Sequence, residues 1–475
     1  MASFLHGVQV LDIDSGPRPV QIASSSVIGI IGTAPDADPI AFPLNTPVLV
    51  AGSRTVAAKL DMTGNGAGTL PDAMDSIFDQ IGAVVVVVRV DVGANDTATL
   101  ANIIGGVDGV TGQRKGVQAF LAAKSMLGVQ PRILIAPGFT HTRVTNGIVT
   151  LTGNPGSGYT DGTYQLTVTG GTGGSGAAAT ATIVGGVVTK RTITKPGSGY
   201  TAVPTFSLPG SAGSGTGATF VATAGTAGNA VVAELLGIAD RLRAVIFADG
   251  PSTTDAAAVA YAGDFGSKRV YVIDPQVLAT NADGSIDTRY ASAGAAGIQA
   301  RIDNDRGFWW SPSNQTFNGI IGTARAIDFA LGDANSAANL LNASKVATII
   351  NQDGYRLWGN RTLSSDQKWA FLPVVRTADI INDSLQAAHL WAVDRGITKT
   401  YMSDVLESVN AFLRSLKAQG AILGGGCWAD PELNTPDQIA QGKVYFDFDF
   451  TPAYPAEQVT FRSHMVDDYA TEIFS

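Results

Sequence analysis

The sequence predicts an α+β multidomain chain: a C-terminal α+β domain with extended terminal strands, an α/β layer before it, and an all-β repeat module inserted into that layer. Three observations carry this. Strand-like and helix-like stretches alternate between Ser76 and Ile273, the signature of an α/β layer with a partly parallel sheet. A Gly-, Thr- and Val-rich stretch from about 142 to 228 holds "PGSGYT" twice, at Pro155–Thr160 and Pro196–Thr201. The last third turns to a long amphipathic helix followed by alternating strands. At 475 residues the chain is long enough for about two to four domains.

Taken in order, "GVQVLDI" (Gly7–Ile13) suits a strand, and "DSGPRPV" (Asp14–Val20) then breaks the chain with a glycine and two prolines. A lone terminal strand is not stable by itself and must join a sheet, its own or a neighbour's. "SSVIGIIGTAPDADP" (Ser25–Pro39) puts a glycine turn after an apolar strand. Gly29 and Gly32 give only G-x-x-G, with neither the dinucleotide fingerprint nor a G-K-[ST] ending. Apolar strands follow at Val84–Val90, Ile133–Ala136, Ala244–Phe247 and Val270–Ile273, with helical stretches near Gly116–Met126, Asn229–Arg243 and Ala256–Phe265.

The two copies of "PGSGYT" stand 41 residues apart, Pro155 to Pro196, and "GAAATAT" (Gly176–Thr182) meets "GATFVAT" (Gly217–Thr223) at the same offset. Matching signals at one offset mark an internal duplication. Val- and Thr-rich runs cut by Pro-Gly read as short strands with turns, inserted between the strand ending near Ala136 and the helix starting near Asn229. "GSGYT" leads into strands, not a helix, which argues against a phosphate cradle.

In the last third, Lys345–Ile350 and Tyr355–Arg361 read as strands and Asp379–Val393 as a helix. Tyr401–Gly420 is the clearest helix: Met402, Val405, Leu406, Val409, Phe412, Leu413 and Leu416 form one apolar stripe. Gly420 stands where such a helix stops. "KVYFDFDF" (Lys443–Phe450) sets Phe446, Phe448 and Phe450 on one strand face and Tyr445, Asp447 and Asp449 on the other. After the break "TPAYPAEQ", Val459–Met465 reads as another strand. The segments are 1–22, an N-terminal arm; 23–140 with 229–344, a discontinuous α/β domain; 141–228, the repeat module; 345–465, the C-terminal domain; and 466–475, a C-terminal arm.

Composition narrows the function. Charged residues are only 15% of the chain, against roughly 25% in an ordinary soluble domain. Surface hidden against other subunits explains this, as do small residues packed in β-rich segments. A net charge of −9 argues against a nucleic-acid binder, which needs a basic face. Cys427, the sole cysteine, excludes an internal disulfide and any multi-thiolate zinc site, and reads as a buried structural thiol. His6, His141, His389 and His464 are scattered. Asp447 and Asp449 offer too few converging ligands for a metal and read as a solvated or interfacial acidic face. No cofactor or metal is expected. The start, "MASFLHGVQV", lacks the features of a signal peptide, and "AVVVVV" (Ala83–Val88) is too short to span a bilayer, so no direct membrane insertion is expected. Of the adjacent Trp309 and Trp310, read as strand residues, one is expected in the core and one against another element or subunit. An α/β enzyme is one rival reading, with Asp249 and Asp274 just after strands, where aspartate ordinarily caps a turn or helix. A surface-binding adhesin using the repeat module is the other.

Four stretches in this order resemble contractile phage tail sheath proteins of the P2-like and R-type pyocin kind: "FLHGVQVLDIDSGPRPV" with "SSVIGIIGTAP", "GFWWSPSN", "GYRLWGNRTLSSDQKWAFLPVVRTADII", and "FDFTPAYPAEQVTFRSHMVDDY". The resemblance covers the termini, the middle and the whole last third; the repeat module departs from smaller members of the family. It implies a non-enzymatic homo-oligomeric subunit, stacked as hexameric rings around a tail tube, with the C-terminal domain inside and the α/β domain and module outside. It implies tube, baseplate and tail terminator proteins as partners, no nucleic acid, and a place in the virion tail after assembly in the bacterial cytoplasm. Contraction is then expected to drive the tube through the host envelope. Gly7, Val8, Gln9, Val10, Leu11, Asp12 and Ile13 would add a strand to a neighbour's sheet, as would Tyr469, Ala470, Thr471, Glu472, Ile473 and Phe474. Phe446, Phe448, Phe450, Val459 and Phe461 would build the inner sheet. Lys399, Arg414 and Lys417 are tube-facing candidates.

Overall fold

The computed structural model describes residues 20–281 and 283–466. The expected arm strands, Gly7–Ile13 and Tyr469–Phe474, lie outside the described residues.

Valine-rich runs build the centre. Among the described residues the largest sheet has nine strands, in the order Pro47–Ala51, Val84–Val90, Ile28–Thr33, Ile133–Ile135, Val245–Asp249, Val270–Ile273, Val346–Asn351, Tyr355–Trp358 and Gln315–Thr316. From Val84–Val90 across to Val346–Asn351 all neighbours run parallel. The strands flanking that stretch pair antiparallel. A parallel sheet carries helices on both faces, so its strands are continuous apolar runs; in Val84–Val90 every residue after the first is buried. Val85, Val87 and Ile28 pack against Leu70, Ile77 and Ile298 on one face. Val86, Val88 and Ile31 pack against Phe120, Leu235 and Tyr261 on the other. Gly29 and Gly32 serve this packing: a Cβ on Gly29 would stand 2.9 Å from Pro131 Cβ, and one on Gly32 would stand 2.3 Å from Thr69 Oγ1.

The two strands Val346–Asn351 and Tyr355–Trp358, grouped on sequence with the C-terminal domain, belong to this sheet instead. Val346 and Ala347 lie opposite Val272 and Ile273 in parallel register. A short apolar run identifies a strand, here buried from Val346 through Ile350, but not the sheet it joins.

The inserted module leaves the layer after Thr142 and returns at Asn229. Asn229 holds both ends: its Oδ1 accepts from the amides of Val231 and Val232, capping the helix Ala230–Leu242. Its Nδ2 donates to the carbonyls of Phe139 and Thr142 at 2.9 and 2.8 Å. The module has its own core, which includes Ile148, Leu166, Ile183 and Phe206.

The C-terminal unit pairs two helices, Leu372–Ala388 and Lys399–Gln419, with the antiparallel strands Ile422–Ala429 and Phe446–Pro452. Thr398 caps the long helix at its start, and Gly420, at φ 81°, ends it in the left-handed conformation glycine tolerates. The predicted strand Val459–Met465 does not form among the described residues. Val459 and Phe461 are 68% and 91% exposed, outside the sheet they were expected to build. An extended segment without a hydrogen-bonding partner has the alternation of a strand and none of its pairing. The tryptophan pair also sits differently: it follows the helix Ala291–Asp305 in a turn rather than lying on a strand. Trp309 packs into the C-terminal core, and half-exposed Trp310 lies under the Arg306 guanidinium at 5.1 Å.

Candidate assembly interface

Alternation in "KVYFDFDF" settles into two faces. Phe446, Phe448 and Phe450 turn toward Val409, Phe412 and Leu416 of the long helix, and the Phe448 and Phe450 rings stack at 6.2 Å. Asp449 is exposed, and its Oδ1 accepts from the amide of Gly426 across the ladder at 2.9 Å. Among the described residues this sheet has two strands, so each strand has one edge unpaired. One point on the Ile422–Ala429 strand is occupied: Asn410, reaching from the long helix, donates to the Cys427 carbonyl at 3.0 Å and accepts from its amide at 2.9 Å. Burial raises the Cys427 thiol, with Asp447 nearby adding to the shift.

Both ends of the described chain run over this unit. On the N-terminal side, Val20 packs against its core, Ala23 donates to Ser384 Oγ at 2.9 Å, and the Ser25 carbonyl accepts from Arg376 at 2.9 Å. On the C-terminal side, Tyr454 meets the Phe371 ring edge-on at 6.4 Å, and Glu457 takes a bidentate pair from Arg361 at 2.7 and 2.5 Å. Arg361 also lies over Phe371, 5.2 Å from its centroid. Beyond this clasp Phe461 and Met465 stand in solvent, the latter 97% exposed.

Ion pairs join the C-terminal unit to the α/β layer. Arg132, Arg243 and Arg269 stand just before three neighbouring strands of the large sheet. Arg132 and Arg243 meet Asp383, and Arg269 meets Asp379, one turn apart on the helix Leu372–Ala388. Burial pushes the Asp379 carboxyl above its usual range against the pull of Arg269. Arg376, on the same helix, forms a bidentate pair with Asp303, the two side chains being 3% and 1% exposed. The sequence holds these residues in plain view, but nothing in it ties an arginine to an aspartate more than 70 positions away.

Lys399, Arg414 and Lys417 are exposed on the long helix, and Arg414 is paired with Glu407. Asp249 and Asp274 are buried in structural contacts. Asp249 accepts from the Ser292 amide and hydroxyl at 2.8 and 2.7 Å, at the start of the helix Ala291–Asp305. Asp274 accepts from the Ser252 amide and pairs with Arg325. Among the described residues no group of three or more His, Cys, Asp or Glu side chains is placed to hold a metal ion.

The fold is that of contractile sheaths. The chain superposes on the anti-feeding prophage helical sheath in its contracted state with a TM-score of 0.61 at 16% identity, covering 98% of this chain and 100% of that one. It superposes on the sheath of the PVC extracellular contractile injection system with a TM-score of 0.59 at 14% identity, covering 98% and 99%. Family models agree along the chain: the tail sheath protein Gp18 domain III N-terminal region over residues 25–90, the phage tail sheath protein central domain over 215–363, and the phage tail sheath C-terminal domain over 364–465. A prophage-encoded relative from Pseudomonas aeruginosa (strain UCBPP-PA14), named for a major tail sheath protein, is 38% identical over 99% of each chain. The tail sheath protein of Escherichia phage P2 is 32% identical over 100% of this chain and 98% of its own length. The chain belongs to the phage tail sheath protein family, and the resemblance read from its motifs is borne out. The relative from Burkholderia phage BcepMu, 32% identical over 98% of each chain, is likewise named a tail sheath protein.

Proposed function

We propose that this protein is the repeating subunit of a contractile tail sheath, stacking as hexameric rings around a tail tube and contracting to drive the tube through the host envelope. The observation that carries this is the two-stranded sheet of the C-terminal unit, whose outer edges have no strand partner among the described residues, beside an exposed apolar tail. Unpaired edges invite strand addition, in which main-chain hydrogen bonds supply the link and side-chain alternation sets the register. The arm Gly7–Ile13 of one neighbour and Tyr469–Phe474 of another complete the sheet, tethered by "SGPRPV" and "TPAYP". Val459 and Phe461 find their partners in the same mesh. The C-terminal unit lies inside, with Lys399, Arg414 and Lys417 toward the tube; the α/β layer and the module lie outside. Baseplate and terminator proteins bound the polymer at its ends.

Contraction follows from this linkage. The Arg–Asp pairs at the junction let each subunit move as one body, and the arms drag the next ring. Each subunit gains contact area as it moves, and burying apolar surface stabilises by roughly 25 cal/mol per Å², so many small gains sum to mechanical work. Deleting residues 2–16 tests the reading. The expected result is a folded subunit that forms no ordered sheath under the electron microscope. Normal sheaths from that truncation would sink the mesh.

A further inference from the structure

The inserted module carries a relation that its sequence repeat alone does not show. The first "PGSGYT" copy does not pair within its own repeat. Ser157 and Pro155 lie opposite Thr216 and Ala218, in the second repeat. The second copy lies opposite the first repeat: Ser198 and Pro196 face Ser175 and Ala177. Under the offset of 41 these are the same pairings with the partners exchanged. The surroundings agree. Tyr200 accepts the Ala177 amide on its hydroxyl at 3.0 Å, and Tyr159 accepts the Ala218 amide at 3.2 Å. Gly156 and Gly197 have φ of 64° and 62°, Gly158 and Gly199 of 78° and 75°, and Gly176 and Gly217 of 82° and 80°. Gly174 and Gly215 each lie against one of these tyrosine rings, where a Cβ would stand 2.5 and 2.4 Å from ring carbons. The longer strands follow suit. Thr180 faces Thr192 in one half, and Val221 faces Thr152 in the other, one residue from the equivalent position.

We propose that the module is a fused dimer: each 41-residue repeat presents a pairing surface whose partner is a second copy of the same repeat, supplied here by the same chain. A repeat taken singly keeps the pairing of Gly162–Gln165 with Thr180–Ile183 but leaves its "PGSGYT" edge and the other edge of the strand Ser175–Val184 unpaired, together with the tyrosine pocket that the other copy lines. The hairpin turn Gly185–Gly186, where the first repeat passes into the second, is equivalent under the offset to Thr226–Ala227, where the module rejoins the body. In a chain with one repeat the exit after Gly186 then stands beside Val144 of the other copy, as Ala227 stands opposite Val144 here. The partner that fits such a chain is a second copy of itself.

The test uses disulfides in the whole chain with Cys427→Ser. In the full-length protein, Ser157→Cys with Thr216→Cys, and separately Ser175→Cys with Ser198→Cys, are each expected to cross-link within one chain. In a chain lacking residues 187–227, Ser157→Cys with Ser175→Cys is expected to give a covalent dimer on a non-reducing gel, because Ser175 then faces Ser157 of the other copy. Two results would overturn the proposal. One is a folded single-repeat chain that stays monomeric on that gel. The other, which holds even if the deletion protein does not fold, is failure of either full-length pair to close.

Discussion

Replacing Asp303 with alanine should be among the most damaging single changes at the junction between the C-terminal unit and the α/β layer. Arg376 and Asp303 are 3% and 1% exposed, with two charge-assisted bonds of 2.6 and 2.5 Å between them. Gln299 adds a third bond to the carboxylate at 2.8 Å, and Arg376 also holds the Ser25 carbonyl. Asp303→Ala strands a guanidinium at a site without water access, leaving it only that carbonyl. Removing one partner of a buried pair costs about 3–5 kcal/mol, a large share of the ~5–15 kcal/mol by which a domain is stable. Asp303→Leu with Arg376→Met should recover most of the loss, since neither charge then has to be desolvated. Urea unfolding followed by tryptophan fluorescence reads the effect, because Trp309 packs into the neighbouring core. The control is Glu407→Ala, whose pair with Arg414 is 62% and 59% exposed on its two side chains and is worth below about 1 kcal/mol. If Asp303→Ala costs no more than Glu407→Ala, the junction is not held by this pair and the reasoning fails.

Three further outcomes are expected. Burial pushes the Asp249 carboxyl from 3.8 up to about 6, so the folded state favours its protonated form. That contribution is present at low pH and is lost as pH rises through about 6; Asp249→Asn should flatten the fall in stability across this window, read by urea unfolding at several pH values. Arg361→Ala or Glu457→Gln should leave the monomer's thermal unfolding nearly unchanged, since the pair is part-exposed. Either change should lower the yield of ordered sheath in negative-stain images, because the clasp sets where the C-terminal tail departs. Asn410→Ala frees the Cys427 amide and carbonyl on the Ile422–Ala429 strand, and should raise off-pathway aggregation in light scattering, as an unguarded edge does.

Local pattern was enough for much of this chain. The run Val84–Val90 is a strand from end to end as its composition demands, and the apolar stripe of Tyr401–Gly420 is the face that packs. Phe446, Phe448 and Phe450 separate from Asp449 by simple alternation. Val459 and Phe461 show the limit of the same rule: period-two alternation marks a segment fit to pair, and pairing needs a second strand. Lys345–Ile350 was legible as a strand and illegible as a member of the α/β sheet, because the residues it faces, Val272 and Ile273, are more than 70 positions earlier.

By itself, then, the sequence determined which segments are extended or helical, that a 41-residue unit is duplicated, and, through four ordered motifs, which family the chain belongs to. Periodicity and turn chemistry act over a few residues, and these features are written at that range. Only the tertiary structure decided that the two repeats exchange partners, that Asn410 occupies an edge of the small sheet, and that Arg132, Arg243, Arg269 and Arg376 fasten one helix to the layer beside it. Those are choices among many chemically equivalent partners. They are made by which groups are brought close and shielded from water, because a charge or a strand edge gains from a partner only where solvent does not already supply one.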